Sequence, residues 1–474
     1  MAEIEQKKNK LARTMTGKTE PNVDFEEEEN SLNDFGVMML VLEIILVALL
    51  WVFAKDSIIN PTDGLVSQRY PAYQDVNVMM LVGFAFLMTF IRSYAWSSIA
   101  YTFFLNAYIF QIYILLYAFW DKVWNGGWNT TVTISVDITT MIGCSYAVAS
   151  VLVAAGGVIG RCGPKDLLIM MTFQIIGYSL NERIVFTSIG MIDGGCSSTI
   201  HTYGAYFGLT VCVVLAKKAK PITNIKISYI SNIFAFIGTL FLWIYYPSFN
   251  YGLLAQNSFE QNLIVVNTVL SLTGSVLGTY IVSALGFGRG LEMENILNAT
   301  ISGGVVMGAP CSFIYRPGVA LFIGFSTGII STLCFHHLTP KLLDCIGLYD
   351  TCGIHNLHGI PGVLGGLWSA VIVAFYNTGF DTEIAAMYSN GNFLFPTTNS
   401  FLKQGGLQVA GAFCSLAMAI LFGILGGLVT SFFYKEKPKY FYLDTEYFEN
   451  AHFREIYKGD TGENNYLNQK NAKN

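Results

Sequence analysis

Long apolar stretches separated by short polar segments run through most of this 474-residue chain. A helix needs about 20 predominantly apolar residues to cross a bilayer. Windows of that length predict twelve spans, at residues 36–54, 76–92, 97–120, 136–160, 166–186, 194–216, 228–250, 264–286, 296–314, 319–338, 351–376 and 405–434. Polar tails flank them, at residues 1–35 and 435–474. The pattern predicts an all-α, polytopic membrane protein with one transmembrane domain over residues 36–434.

Composition supports this fold class and narrows the function. Hydrophobic residues make up 53% of the chain and charged residues only 12%, about half the charged share of a soluble domain. The net charge of −5 gives no sign of a nucleic-acid partner. The nine cysteines include no C-x-x-C pair, so we expect neither a metal site nor a disulfide framework. Membrane lipid is the expected surrounding, and no cofactor is implied.

Basic residues fall on one side of the predicted spans, which the positive-inside rule makes cytoplasmic. They lie in the N-terminal tail, at Arg161 and Lys165, at 217–226 and at 435–439. An even number of spans places both termini on that side. The sequon Asn129-Thr130-Thr131 then falls in an extracellular loop, where we expect Asn129 to be glycosylated. The sequence leaves open whether the protein lies in the plasma membrane or an endomembrane.

Two segments repeat one spacing between a carboxylate and a histidine. Asp193 precedes His201 by eight residues, and Asp350 precedes His358 by eight. The segments belong to the last spans of two groups of five, over residues 76–216 and 228–376, and an odd number of spans makes the second group enter from the opposite side. Because a helix rises 1.5 Å per residue, both histidines lie nearer mid-membrane than their carboxylates. The spacing predicts two inverted five-helix repeats around one central transport pathway.

Three segments resemble signatures of the Rh glycoprotein branch of the ammonium transporter (Amt/Rh) superfamily. They are Thr199–Leu209, Ile237–Asn250 and Asp350–Gly362. The resemblance implies the Amt/Rh fold, a homotrimer, and in each subunit a narrow pore for ammonia or methylammonium. It also implies that His201 and His358 line that pore. His355 is a competing candidate, but the His-Gly-x-Pro-Gly context favours His358.

The resemblance extends to the pore entrance. Phe249 falls where the family has one of two stacked phenylalanines that gate the extracellular mouth. The family's second phenylalanine falls on Tyr146, and the aspartate before it falls on Ser145. Since Tyr146 adds a hydroxyl to the ring, we expect a gate that is wetter or partly hydrogen-bonded. Glu182 corresponds to an acidic position of the family's extracellular vestibule.

Asp193 and Asp350 have two interpretations. Each carboxylate can attract or deprotonate the cation, or it can cap a helix N-terminus and order the nearby backbone. The resemblance favours the structural role.

Transport of ammonia through an apolar pore has a clear chemical requirement. At neutral pH an amine is mostly its protonated cation, and moving a bare cation into a low-dielectric pore costs far more than moving the neutral amine. An uncharged imidazole has one donor and one acceptor nitrogen, so paired imidazoles can bind ammonia and can also pass a proton. We therefore expect ammonium to be recruited and ammonia to cross, and the sequence leaves open whether net charge is transferred.

Three alternatives compete with ammonia transport. The same pore would also suit CO2 or another small neutral gas. Ser197 or Ser198 with His201 would form an intramembrane hydrolase, but no H-E-x-x-H motif is present, and we expect no enzyme. The third alternative is a non-transporting membrane scaffold. Loss of a pore histidine would favour it, but both histidines are present.

Overall fold

The computed structural model describes residues 25–56, 66–126, 134–215, 229–253, 259–286, 290–376, 400–433, 442 and 444–448. Its α-helices are α1 (Phe25–Phe53), α2 (Val66–Val78), α3 (Ala85–Leu87), α4 (Ala95–Asn125), α5 (Ile138–Val158), α6 (Pro164–Arg183), α7 (Tyr203–Leu215), α8 (Tyr229–Tyr251), α9 (Phe259–Gly286), α10 (Met293–Ala299), α11 (Ser302–Met307), α12 (Pro317–Ile346), α13 (Ile360–Tyr376), α14 (Phe401–Phe433) and α15 (Asp444–Tyr447). Two strands, β1 (Ala54–Asp56) and β2 (Ile134–Val136), pair in parallel. Asn129 lies outside the described residues, so its glycosylation stays a prediction.

The helices coincide with the predicted spans. Within the described residues, ten helical segments are long and apolar enough to cross a membrane. The other two predicted spans fall on α6 and on the interrupted pair α10–α11. The all-α, polytopic architecture is therefore confirmed. One boundary differs, because α1 begins at Phe25 and helical structure extends into the segment predicted as a polar tail.

α5 lies at the centre of the fold. Asp137 begins it, since its carboxylate accepts a hydrogen bond from the backbone N–H of Thr140 at 2.8 Å and its own N–H is 3.4 Å from the Thr140 hydroxyl. This reciprocal arrangement is a capping box. From Ile142 to Val158 every residue of α5 is buried, as expected for a helix that is apolar on all its faces. Because the cap fixes the residue at which α5 begins, it also fixes the position of each α5 side chain in the core, including that of Tyr146.

Wider, π-type turns interrupt the helices at four places in the described chain, at Met79–Phe84, Ile184–Ile189, Ser197–Thr202 and His355–Gly359. Such turns are rare in helices overall, but those that occur are often found at functional sites. Two of them contain His201 and His358, where the sequence predicted regular spans.

One short strand pair accompanies the helices. β1 follows α1 directly and β2 precedes α5, with Ala54 opposite Ile134 and Asp56 opposite Val136. The pairing satisfies backbone N–H and C=O groups where helices end. Strands of three residues are too short to show an alternation of apolar and polar positions.

Candidate functional site: a buried histidine pair in an apolar conduit

The first turn that positions a histidine begins at Asp193. Its buried carboxylate accepts hydrogen bonds from the backbone N–H groups of Ser198 at 3.0 Å and Thr199 at 2.9 Å, and from the Thr199 hydroxyl at 3.1 Å. Cys196 has a φ of 58°, in the left-handed region that non-glycine residues rarely adopt. The carboxylate and this backbone reversal together hold the π-type turn that contains His201.

The second turn has the same construction. The Asp350 carboxylate accepts hydrogen bonds from the backbone N–H groups of Ile354 at 3.0 Å and His355 at 2.8 Å. Gly353 has a φ of 73°, and it follows the aspartate at the same three-residue offset as in the first turn. Both carboxylates contact backbone donors, which supports their structural interpretation.

The two turns bring His201 and His358 together. Their Nδ1 atoms lie 3.1 Å apart, and their ring centroids are 5.1 Å apart with planes only 7° from parallel. Both side chains are buried, with exposed fractions of 0% and 3%. Two acceptor nitrogens or two N–H groups would repel each other at this distance, so the contact requires one donor and one acceptor. One proton is therefore shared between the two Nδ1 atoms.

Aromatic side chains enclose the pair. The Tyr246 hydroxyl lies 3.2 Å from His201 Nε2, and the Phe249 ring centroid is 5.8 Å from that of His201. Beyond the other histidine, Phe84 stacks on His358 at 5.9 Å and 16°. The four rings follow one another in the order Phe249, His201, His358 and Phe84.

Tyr146 and Phe249 lie in contact at the predicted gate. Their ring centroids are 4.7 Å apart, with planes inclined by 44°, and both side chains are fully buried. The Tyr146 hydroxyl donates a hydrogen bond to the carbonyl oxygen of Phe249. That carbonyl belongs to the last turn of α8, where helix carbonyls have no partner within the helix. The added hydroxyl therefore holds a helix end, and the gating role of the two rings stays a prediction.

Glu182 lies near the end of α6. It is half-buried, and its carboxylate accepts a hydrogen bond from the Tyr113 hydroxyl at 2.7 Å. The neighbouring Arg183 forms an ion pair with Asp121 at 2.9 Å. These contacts give the carboxylate a defined position, and its role in recruiting ammonium stays a prediction.

Asp75 is an acidic residue beside the gate that the sequence analysis missed. Its carboxylate accepts a hydrogen bond at 2.6 Å from Ser248, the residue before Phe249. Ser145, at the position of the family's aspartate, donates instead to the Met141 carbonyl of its own helix at 3.1 Å. Asp75 immediately precedes the predicted span 76–92. This position was the one signal in the sequence that a carboxylate lies at the entrance beside the gate.

A small cavity adjoins His358. The volume open to the centre of a water-sized molecule is ≈ 10 Å³, near the lower limit for one water molecule. Its polar side chains are His358, Asn298 and Cys352, and the rest of the wall is formed by Phe84, Leu87, Met88, Phe90, Leu152, Val153, Gly156, Ile354 and Leu357. The cavity suits one molecule of the size of ammonia.

His355, the competing candidate, lies outside the pair. Its Nδ1 atom is 3.3 Å from Oδ1 of Asn356, and its ring packs edge-on against Tyr206. His358, and not His355, is therefore the histidine that contacts His201, and its role in lining a pore stays a prediction.

Of the two serines proposed as a hydrolase nucleophile, Ser197 uses its hydroxyl in hydrogen bonds that pack two segments together. Ser197 donates a hydrogen bond to the Val305 carbonyl at 2.6 Å and accepts one from the Ala309 N–H at 2.8 Å. A G-x-S-x-G sequence is present at 324–328, but it lies within α12, whereas a nucleophile elbow is a turn between a strand and a helix. Ser326 donates its hydroxyl to the Ile323 carbonyl of that helix. In the described part of the chain, no group of three or more His, Cys, Asp or Glu side chains is arranged to hold a metal ion.

A buried histidine pair inside a bundle of membrane-length helices defines a polytopic membrane channel or transporter. The profile of the Ammonium Transporter Family matches residues 37–441, and the chain belongs to this family. Ammonium transporter Rh type C of Bos taurus is 39% identical over 441 residues, covering 89% of this chain and 93% of the relative. Ammonium transporter Rh type B of Danio rerio is 35% identical over 458 residues, covering 92% and 96%.

Two solved structures share the fold. The structure described as Nitrosomonas europaea Rh50 and mechanism of conduction by the Rhesus protein family of channels has a TM-score of 0.70 and 29% identity, covering 87% of this chain and 100% of that chain. A sensor Amt protein shares the fold at a TM-score of 0.61 with 18% identity, covering 78% and 94%. The predicted Amt/Rh fold and the resemblance to the Rh branch are confirmed.

Proposed function

We propose that this protein is a transmembrane channel or transporter for ammonia, in which ammonium gathers at the mouth and the neutral molecule crosses. The observation that carries the proposal is the contact between the Nδ1 atoms of buried His201 and His358. Uncharged imidazoles offer hydrogen bonds to a neutral amine and no negative charge to a cation. The carboxylates of Asp193 and Asp350 are directed to backbone N–H groups, which fits a conduit for an uncharged cargo.

The path follows from the order of side chains. Ammonium is attracted to the acidic mouth, where Glu182 and Asp75 raise the local concentration of cations. It releases its proton at the gate of Phe249 and Tyr146, and ammonia then moves past the histidine pair. On the other side ammonia takes up a proton and becomes ammonium again. Methylammonium is the next expected cargo, because it has the same chemistry with one methyl group added.

The assembly and orientation belong to the same proposal. The family resemblance supports a homotrimer, and the distribution of basic residues supports cytoplasmic termini. Large apolar side chains on the outside, such as Trp51 (86% exposed) and Phe432 (84% exposed), fit contact with lipid or with a neighbouring subunit.

The test uses proteoliposomes with a pH dye inside, mixed rapidly with ammonium chloride. Ammonia entry consumes internal protons, so the wild-type protein is expected to alkalinise the vesicles faster than protein-free vesicles. His201→Ala combined with His358→Ala removes the pair and should change the ammonia flux or its coupling to protons. His336→Ala, whose Nε2 lies 2.8 Å from Asn295 outside the pair, is the matched control.

Three results would count against the proposal. Wild-type flux equal to that of protein-free vesicles contradicts ammonia transport. Unchanged flux and coupling in the double variant remove the histidines from the mechanism. Faster wild-type entry of CO2 than of ammonia, measured in the same apparatus, favours the neutral-gas alternative.

A further inference from the structure

The cavity beside His358 contains an acceptor that packing leaves unused. The Asn298 side chain, 1% exposed, donates from Nδ2 to the Glu294 carbonyl at 2.9 Å. In the described part of the chain its carboxamide oxygen has no hydrogen-bond partner. The buried Asn298 amide therefore keeps one hydrogen-bond acceptor that the packing around it does not use.

The sequence motif around Asn298 does not explain why this acceptor is unused. Asn298-Ala299-Thr300 has the form of a glycosylation sequon, but Asn298 is buried and the Thr300 hydroxyl donates to the Ile296 carbonyl of its own helix. The asparagine therefore faces the cavity for a reason other than carbohydrate attachment.

The chemistry of ammonia matches the polar atoms of the cavity. Ammonia has three N–H donors and one lone pair. His358 uses Nδ1 toward His201, and its Nε2 has no hydrogen-bond partner among the described residues. Nε2 can exchange one hydrogen bond with ammonia in either direction, depending on the tautomer. In either direction an N–H of ammonia still needs an acceptor, and Asn298, whose side-chain oxygen has no partner, lines the same cavity as His358.

We propose that Asn298 is a specificity-determining residue of the conduit, whose carboxamide oxygen accepts a hydrogen bond from ammonia in the cavity beside His358. The inference rests on the proposed function and deepens it. The bond to the Glu294 carbonyl fixes the orientation of the amide, so the oxygen is pre-organised for the cargo. CO2 has no donor hydrogen and gains nothing from this acceptor, so Asn298 favours ammonia over CO2 in a channel that is apolar elsewhere.

The test compares Asn298→Val with Asn298→Thr. These side chains have nearly the same shape and share the β-branch, but only threonine has an oxygen. On a helix the threonine hydroxyl can donate to the carbonyl four residues earlier, as Nδ2 of Asn298 does, which leaves its lone pairs for the cargo. We expect Asn298→Val to lower ammonia flux into proteoliposomes about 3- to 10-fold, the effect of one lost hydrogen bond. Asn298→Thr should stay close to wild type, and CO2 entry should be equal in the two variants.

The control is Asn295→Val, one turn earlier on α10. Asn295 is equally buried (1% exposed) and bonds to His336, outside the cavity, so its substitution should leave ammonia flux unchanged. Equal ammonia fluxes for Asn298→Val and Asn298→Thr, or a parallel loss of CO2 entry in the valine variant alone, overturn the inference while wild-type flux still supports ammonia transport. Wild-type flux equal to that of protein-free vesicles removes both. If the valine variant does not elute as folded protein, Asn298→Ala is compared with Asn298→Ser instead. Ammonia flux and CO2 entry are measured in the same way, and the same results support or overturn the inference.

Discussion

The Tyr246 hydroxyl lies 3.2 Å from Nε2 of His201, so both ring nitrogens of that histidine are engaged. Among the described residues the hydroxyl has no other hydrogen-bond partner, and a buried O–H is best satisfied by donating. Donation makes Nε2 of His201 the acceptor and places the His201 proton on Nδ1. The proton of His358 then lies on Nε2, on the side of the cavity. One hydroxyl thus sets the direction of the hydrogen bonds through the pair.

Tyr246→Phe is predicted to weaken this preference. Loss of a hydrogen bond worth about 1 kcal/mol changes the ratio of the two tautomers about fivefold. Nitrogen-15 NMR of histidine-labelled protein reports the tautomer, and the chain has only six histidines to assign. The His358 signal should move from mainly Nε2-protonated toward a mixture. Identical spectra for wild type and variant would show that the hydroxyl does not set the tautomer.

Two substitutions of Tyr146 separate the role of its hydroxyl from the role of its ring. Tyr146→Phe keeps the ring beside Phe249 but loses the hydrogen bond to its carbonyl, so the free energy of unfolding should fall by about 1 kcal/mol with ammonia flux retained. Tyr146→Ala also removes the ring, and we expect water and proton leakage. Thermal unfolding in detergent and passive proton leak in vesicles measure the two effects. Equal leakage from both variants would contradict an aromatic gate.

Asp75→Asn tests the acidic residue at the mouth. Asparagine keeps an oxygen to accept the bond from Ser248 but removes the negative charge, so recruitment of ammonium should weaken. The ammonium concentration for half-maximal flux should rise a few-fold at low salt, and the difference should shrink in high salt because salt screens exposed charges. A shift that is the same at every salt concentration would indicate a packing defect instead.

The segment at the C-terminus provides a prediction about pH. Asp444 caps the start of α4, accepting hydrogen bonds from the backbone N–H groups of Trp96 at 2.7 Å and Ser97 at 2.9 Å. Burial raises the pKa of Asp444 from 3.8 to about 6, and the hydrogen bonds from Ser97 and Trp96 lower it in part. Because the pKa is higher when the segment is docked, its contribution to docking is fully present below pH 3.8 and is lost as pH rises through 6.

Hydrogen exchange can measure this dependence. Protection factors of the Trp96 and Ser97 amides, corrected for intrinsic exchange, should fall between pH 4 and pH 7. The fall corresponds to a loss of at most about 3 kcal/mol in docking free energy. Asp444→Asn has no charge to bury, so its protection should not change over that range. A wild-type protein whose protection rises with pH would contradict the raised pKa.

Much of the fold could be predicted from the sequence because membrane length and the aspartate–histidine repeat are strong local signals. The pairing of His201 with His358 and the contact of Tyr146 with Phe249 also appear in the structure as the sequence suggested. Backbone detail was harder to predict. The π-type turn at Ser197–Thr202 depends on the left-handed Cys196, which local propensity does not reveal.

Several polar residues of the site could not be found from the sequence. Tyr246 lies in an apolar span and is indistinguishable from a packing residue until its hydroxyl is seen beside His201. Asp75 gained significance only through its contact with Ser248, and Asn298 only through the cavity that it shares with His358. Each of these contacts joins distant segments of the chain, so no spacing within a single helix predicts it.

The most direct test of the account is to measure charge and pH together as ammonium is added to proteoliposomes that contain the protein. If the cargo crosses the histidine pair uncharged, the vesicle interior becomes alkaline and no current appears beyond that of protein-free vesicles. An inward current that grows with ammonium concentration, and that disappears in the variant lacking both His201 and His358, would show that the positive charge itself crosses and would contradict the account.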